Sequence, residues 1–225
     1  MDLPYFIFNN VNSNDMGIVV KEMPPIIKSQ KDIDIINISG RNGDSHIDNG
    51  TYKSKTYKIT CVLMDISKID NLKVLYDGIG TLELSSELGR EYKAVIKNQI
   101  DFSRYLTFLK EFPLEFSLYP IAYSKQSKVL EFLEDSIFDI GGTIEIPPLI
   151  TVNGTGTVTI NNVSFEVLET GITIDCDLMN CSINNLNKND KVVLDEFPKL
   201  IVGENTIVLG SGITSVIIQY KEGWL

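Results

Sequence analysis

A single histidine, a single tryptophan and three arginines stand among 225 residues. The scarcity of histidine alone narrows the chemistry: a Ser-His-Asp or Cys-His arrangement has only His46 to draw on. His46 lies in the turn-rich run Gly43-Asp44-Ser45-His46-Ile47-Asp48 and reads as a solvated loop residue. Cysteine is equally thin. Cys61, Cys176 and Cys181 lack the short paired spacings of a zinc site. Cys61 falls in the alternating run Tyr57 to Leu63 and reads as a small buried thiol. A Cys176–Cys181 bridge across a hairpin is at odds with a reducing cytosol. No apolar run approaches the roughly eighteen residues needed to span a bilayer. The acidic start Met1-Asp2-Leu3-Pro4 and the short Phe6–Phe8 run do not read as a signal peptide, so synthesis inside the cell is expected.

Positive charge is sparse as well. Arg41, Arg90 and Arg104 are the only arginines, and the formal net charge is −10. A duplex binder needs clustered Lys and Arg to displace phosphate counterions, so sequence-specific nucleic acid is excluded as a partner.

What is present is β-strand patterning. The chain is long enough for one large β domain or two small ones, each burying its own core. Short apolar runs alternate with Gly, Asn, Asp and Pro over most of its length. One segment breaks the pattern. Between Asp65 and Tyr76, apolar residues fall at Ile66, Ile69, Leu72, Leu75 and Tyr76, the period of a helix with one buried face. Asp65 or Ser67 supplies a cap for its start, and Asp77-Gly78 ends it. The runs 80–85 and 91–97, joined through Leu88-Gly89-Arg90, predict a hairpin. Leu106 to Tyr119 predicts a longer strand in which Pro113 marks a bulge or an edge. Composition changes over 123–142, which predicts a linker at 126–142 between an N-terminal domain (1–125) and a C-terminal one (143–225). The latter, a series of short strands broken by tight turns, predicts a two-sheet sandwich.

Candidate sites mostly dissolve on inspection. Asp44, Asp48 and Asn49 beside Gly43 and Gly50 invite a calcium reading. Counted from Asp44 as an EF-hand loop, position three is His46 and position twelve is Lys55, so the pattern fails. A tight turn at Asn49-Gly50 accounts for the same residues. Gly40-Arg41-Asn42-Gly43 lacks the Gly-Lys-Ser/Thr continuation of a phosphate loop and reads as a hairpin tip with Arg41 outward. No catalytic, metal or cofactor site is expected, and no membrane partner.

The order of parts nevertheless carries information. Tyr5–Phe8, the polar stretch to Asp15, Gly17 with Ile18-Val19-Val20, Pro24-Pro25 and the Gly40-Arg41-Asn42-Gly43 tip follow one another at the N-terminus. Pro147-Pro148-Leu149, Thr173-Ile174-Asp175-Cys176 and Pro198-Lys199-Leu200-Ile201-Val202-Gly203-Glu204-Asn205 follow in the second half. Over essentially its whole length the chain resembles the distal tail proteins of long, non-contractile-tailed bacteriophages. The resemblance implies a mainly β protein: an N-terminal ring-forming domain with one helix, then a C-terminal galectin-like β-sandwich. It implies a non-enzymatic hub in the virion tail, made in the host cytoplasm, which forms a hexameric ring. That ring would join the tail tube protein to the tail-associated lysin or tip proteins, with DNA passing through its channel. Arg41, Asn42 and Gly43 would then belong to a subunit interface, where arginine favours bidentate bonds to carboxylates. The alternative is a carbohydrate-binding module on the galectin-like sandwich. Against it, the half from Thr143 has neither the His nor the Arg of a galectin sugar site.

Overall fold

The computed structural model describes residues 3–97 and 111–225, and the chain divides into two compact units meeting at residues 122 and 123. Both are mainly β, with one α-helix among the described residues.

The N-terminal unit contains β1 (Phe6–Phe8), β2 (Val11–Asn12), β3 (Ile18–Glu22), β4 (Lys31–Ile36), β5 (Ser45–Tyr52), β6 (Lys55–Leu63), α1 (Ile69–Leu75), β7 (Ile79–Leu84) and β8 (Arg90–Ile96). It also takes in β9 (Glu111–Ser124) as far as Ala122. The main sheet runs β2-β1-β7-β8-β9-β6-β3. Its core follows from strict alternation: Tyr57, Ile59 and Cys61 on β6 face Phe112, Leu114, Phe116 and Leu118 on β9, all buried. Phe6, Phe8, Phe116 and Tyr76 form an aromatic cluster with ring centroids 5.6 to 6.0 Å apart. Asn9 and Asn10, with φ of 49° and 64°, make the two-residue turn between β1 and β2. The Asn9 Oδ1 accepts from the Thr81 N–H at 3.1 Å, so close to β7 that a Cβ at Gly80 would lie 2.2 Å from it.

The helix forms where its periodicity placed it. The Asp65 carboxylate accepts from the Ser67 N–H (3.0 Å) and hydroxyl (2.6 Å) and so caps a short 3-10 turn, Ile66–Lys68, that leads into α1. Leu72 and Tyr76 enter the core, and Gly78 at φ 76° follows the last turn. The predicted hairpin is β7–β8, in register from Ile79↔Val95 to Leu82↔Tyr92.

Of the two readings offered for Pro113, the bulge is not found on the β6 side, where the β6–β9 register passes through Thr60↔Pro113 without a shift. The Glu115 carbonyl accepts from Lys97 N–H at 2.9 Å, on the β8 side. Backbone groups two residues apart point the same way, so Pro113 also turns its missing donor away from β6 and leaves that ladder whole. Residues 98–110, including Arg104 and the start of the strand expected from Leu106, lie outside the described residues.

The C-terminal unit is a two-sheet sandwich. Its strands are β10 (Lys128–Phe132), β11 (Ser136–Ile140), β12 (Leu149–Gly154), β13 (Gly156–Ile160), β14 (Val163–Val167), β15 (Ile172–Asp175), β16 (Asn180–Ile183), β17 (Leu186–Asn187), β18 (Val192–Leu194), β19 (Gly203–Leu209) and β20 (Ile213–Tyr220). One sheet runs β10-β20-β12-β15-β16-β17 and the other β11-β19-β13-β14-β18. Ile150, Ile174 and Ile218 from the first meet Ile160, Phe165 and Ile207 from the second in one buried cluster. The expected linker at 126–142 is corrected here: β10 and β11 occupy it, one on the edge of each sheet. Its mixed acidic and apolar composition is that of edge strands with one solvated face, which resembles a linker when read locally.

Candidate assembly surface

Strands β4 and β5 form a two-stranded sheet of their own. The sequence builds it with isoleucines, but neither strand has a buried residue. Ile33, Ile35, Ile36 and Ile47 on the strands, and Ile38 at the start of the tip, are 38 to 65% exposed. Register puts Ile33 and Ile35 on one face with His46 and Asp48, and Ile36 and Ile47 on the other with Ser45 and Asp34. Apolar residues therefore show on both faces. Such a ribbon buries too little to be stable alone in water. The described residues hold it with polar contacts: Lys31–Asp48, Lys53–Asp32 at 3.1 Å, and Asn49 Nδ2 donating to Asp34 Oδ2 at 3.2 Å. The bond to Lys31 comes first, and then that from the Gly50 N–H, in holding the Asp48 carboxyl below its usual range.

Two sequence readings change in this hairpin. His46 is on a strand, paired with Ile35, and is exposed. Asn49 and Gly50 do not make a turn but lie inside β5, where the register shifts between Lys31 and Ile33. The Asp48 Oδ1 accepts from Gly50 N–H at 2.9 Å, and Gly50 takes φ 71°. This is a bulge, which uses the same residue types as a turn because it needs the same positive φ. The tip, residues 37–44, joins β4 to β5 with Gly40 and Gly43 at φ 84° and 81°. Arg41, Asn42 and Gly43 are all exposed there, with the Arg41 N–H bonded to the Ile38 carbonyl at 3.1 Å.

At the base of the hairpin is a buried polar group that sequence reading missed. Lys55 is 8% exposed and its ammonium lies 4.7 Å from the Tyr92 ring centroid and 5.8 Å from that of Tyr57. The Tyr92 hydroxyl donates to Glu87 Oε2 at 2.9 Å, and Arg90 approaches the same oxygen at 3.5 Å. Burial pushes the Lys55 ammonium below its usual range, opposed by the Glu87 charge. A signal was available: Lys55 occupies the inward phase of the alternating run Lys55, Tyr57, Ile59, Cys61.

Elsewhere, among the described residues, no three His, Cys, Asp or Glu side chains come together as a metal-ligand set. Cys61, Cys176 and Cys181 are free and buried. The sandwich carries an open cleft of about 340 Å3 lined by Tyr123, Pro148, Leu149, Asp175, Asp177 and Tyr220. The Asp175 carboxylate is already engaged there by the Asp177 and Leu178 N–H groups. The segment Pro198 to Asn205 is organised by Asn205, which is fully buried. Its Nδ2 donates to the Ile201 and Gly203 carbonyls (2.8 and 2.9 Å), and its Oδ1 accepts from the Ile201 N–H and Asn161 Nδ2 (2.9 and 3.0 Å).

A β unit with a helix, followed by a two-sheet sandwich, gives this chain a Dit-like fold. The likeness is to the crystal structure of phage SPP1 Dit (gp 19.1), described as a paradigm of hub adsorption apparatus in Gram-positive infecting phages. It covers 100% of both chains with a TM-score of 0.78 at 13% sequence identity. No protein-family model and no curated protein sequence matches the chain.

Proposed function

We propose that this chain is a structural hub of a phage or prophage tail, made in the host cell and carried in the virion tail. Six copies close into a ring that joins the tail tube protein to the tail-tip or baseplate proteins, with no enzymatic step. The observation that carries this reading is the full-length fold likeness to a hub protein. The β4–β5 hairpin supports self-assembly, because a ribbon with isoleucines bare on both faces gains most of its stability from a second surface. Arg41, Asn42 and Gly43 at its tip extend the same contact. The acidic chain suits a channel that DNA slides through without adhering. Light scattering across a concentration series tests the proposal. A species of six chain masses that grows with concentration is the expected result. A protein that stays monomeric throughout, alone and with tail-tube protein added, refutes it.

A further inference from the structure

The segment leading into the hairpin is built inside out. Ile26 and Ile27 are 65% and 42% exposed, while the groups beneath them are polar or charged. Lys55 Nζ donates to the Ile27 carbonyl at 3.0 Å, and the Ile27 N–H donates to the Tyr57 hydroxyl at 3.2 Å. Lys55 and Tyr57 are successive inward positions of β6, so one strand grips both backbone groups of one residue. Ser29, 3% exposed, donates to the Pro120 carbonyl at 2.8 Å, and the Lys53 N–H donates to the Gln30 carbonyl at 2.8 Å. Behind Lys55 stands the buried Glu87, with one oxygen held by Tyr92 and the other, Oε1, without a hydrogen-bond partner.

This arrangement is costly for the monomer. A buried ammonium and carboxylate must be desolvated, and well-packed apolar residues of similar volume do as well or better. Two isoleucines sit next to the site and could fill that role, yet the chain turns them outward. Apolar packing also tolerates sliding and rotation, whereas two directional bonds to one peptide fix both its position and which side faces out.

We infer that Lys55, Tyr57 and Glu87 form a clamp that sets residues 26–30, and hence the β4–β5 hairpin, in the orientation that docks on a second copy of this chain. Lys55 and Tyr57 are positioning residues: they touch Ile27, and Ile26, Ile27 and the hairpin make the contact. Glu87 accepts from the Tyr92 hydroxyl at 2.9 Å and so fixes the ring that lies 4.7 Å from the Lys55 ammonium. The second-copy part of this inference rests on the self-assembly reading above.

The test is hydrogen exchange by mass spectrometry on the full chain, in dilute monomeric solution, for Lys55→Met and Tyr57→Phe. Peptides covering 24–53 should exchange about tenfold faster or more in Lys55→Met, which loses a charged hydrogen bond, and about threefold faster or more in Tyr57→Phe, which loses a neutral one. Peptides covering 57–63 and 112–118 should keep their wild-type rates. The concentration at which assembly appears should rise about tenfold in the same variants. Tyr57→Phe removes a single hydroxyl and carries the test if Lys55→Met does not fold. Wild-type exchange over 24–53 in the folded variants overturns the clamp, as does a uniform acceleration of every peptide. A wild-type protein that never assembles refutes the second-copy part, and the exchange rates still decide the clamp.

Discussion

Replacing Asn205 offers the sharpest check on how this sequence specifies its fold. Its amide is fully buried and makes four hydrogen bonds between 2.8 and 3.0 Å, to Ile201 N–H and C=O, Gly203 C=O and the Asn161 amide. Asn205→Ala leaves these groups buried without their partner. Each such loss costs about 1 kcal/mol net, and relaxation or an entering water recovers part, so the total should be about 3 kcal/mol. A unit of this size loses roughly 4 to 8 °C of melting temperature per kcal/mol, so its transition should fall by at least about 12 °C. Asn205→Asp should cost at least as much, because it has no donors and buries a charge. The assay is urea unfolding followed by fluorescence of Trp224, the single tryptophan, which lies in this unit. A loss below about 1 kcal/mol with an unchanged denaturant slope would show that the loop is held by something other than this amide.

Other outcomes follow from the same reasoning. Ile35→Asp should leave monomer stability within about 0.5 kcal/mol, since the side chain is already exposed, yet abolish the assembled species in light scattering. Persistence of that species would exclude the hairpin from the contact. Burial pushes the Cys61 and Cys176 thiols up to about 12, so neither should react with a thiol reagent at pH 8 until urea unfolds its unit. Rapid labelling of the native protein would contradict the buried placement. Glu222 is held below the usual range mainly by its bond to Lys128 (2.6 Å), with the Gly141 N–H (2.9 Å) also contributing. A depressed carboxyl stabilises above its unfolded value and loses that contribution as pH falls through the folded one. Stability of the C-terminal unit should therefore decline below about pH 4.5, and more shallowly in Glu222→Gln; identical acid profiles would refute the assignment.

Local pattern carried much of the fold. Alternation at Tyr57-Ile59-Cys61 and the helical period from Asp65 to Tyr76 each set which face is buried, because that depends on residues two, three or four positions apart. Asn9 and Asn10 adopt the left-handed φ that a tight turn needs, a preference local to those residues, and Thr81 on β7 then holds Asn9 in place. What local pattern missed involved partners far along the chain. Edge strands β10 and β11 resemble a linker until β20 and β19 pair with them from some ninety and seventy residues away. Asn49-Gly50 reads equally as turn or bulge, and only the register with β4 decides between them. Lys55 lies in the inward phase of β6, but what its burial does depends on Tyr92 and Ile27 meeting it from distant parts of the chain.

The sequence by itself determined a mainly β chain and the helix between Asp65 and Tyr76, because composition and periodicity act over a few residues. Only the tertiary structure decided that the isoleucines of β4 and β5 stay bare while a lysine is buried beneath their approach. Exposure is a property of what the rest of the chain leaves uncovered, and no short stretch of residues encodes it.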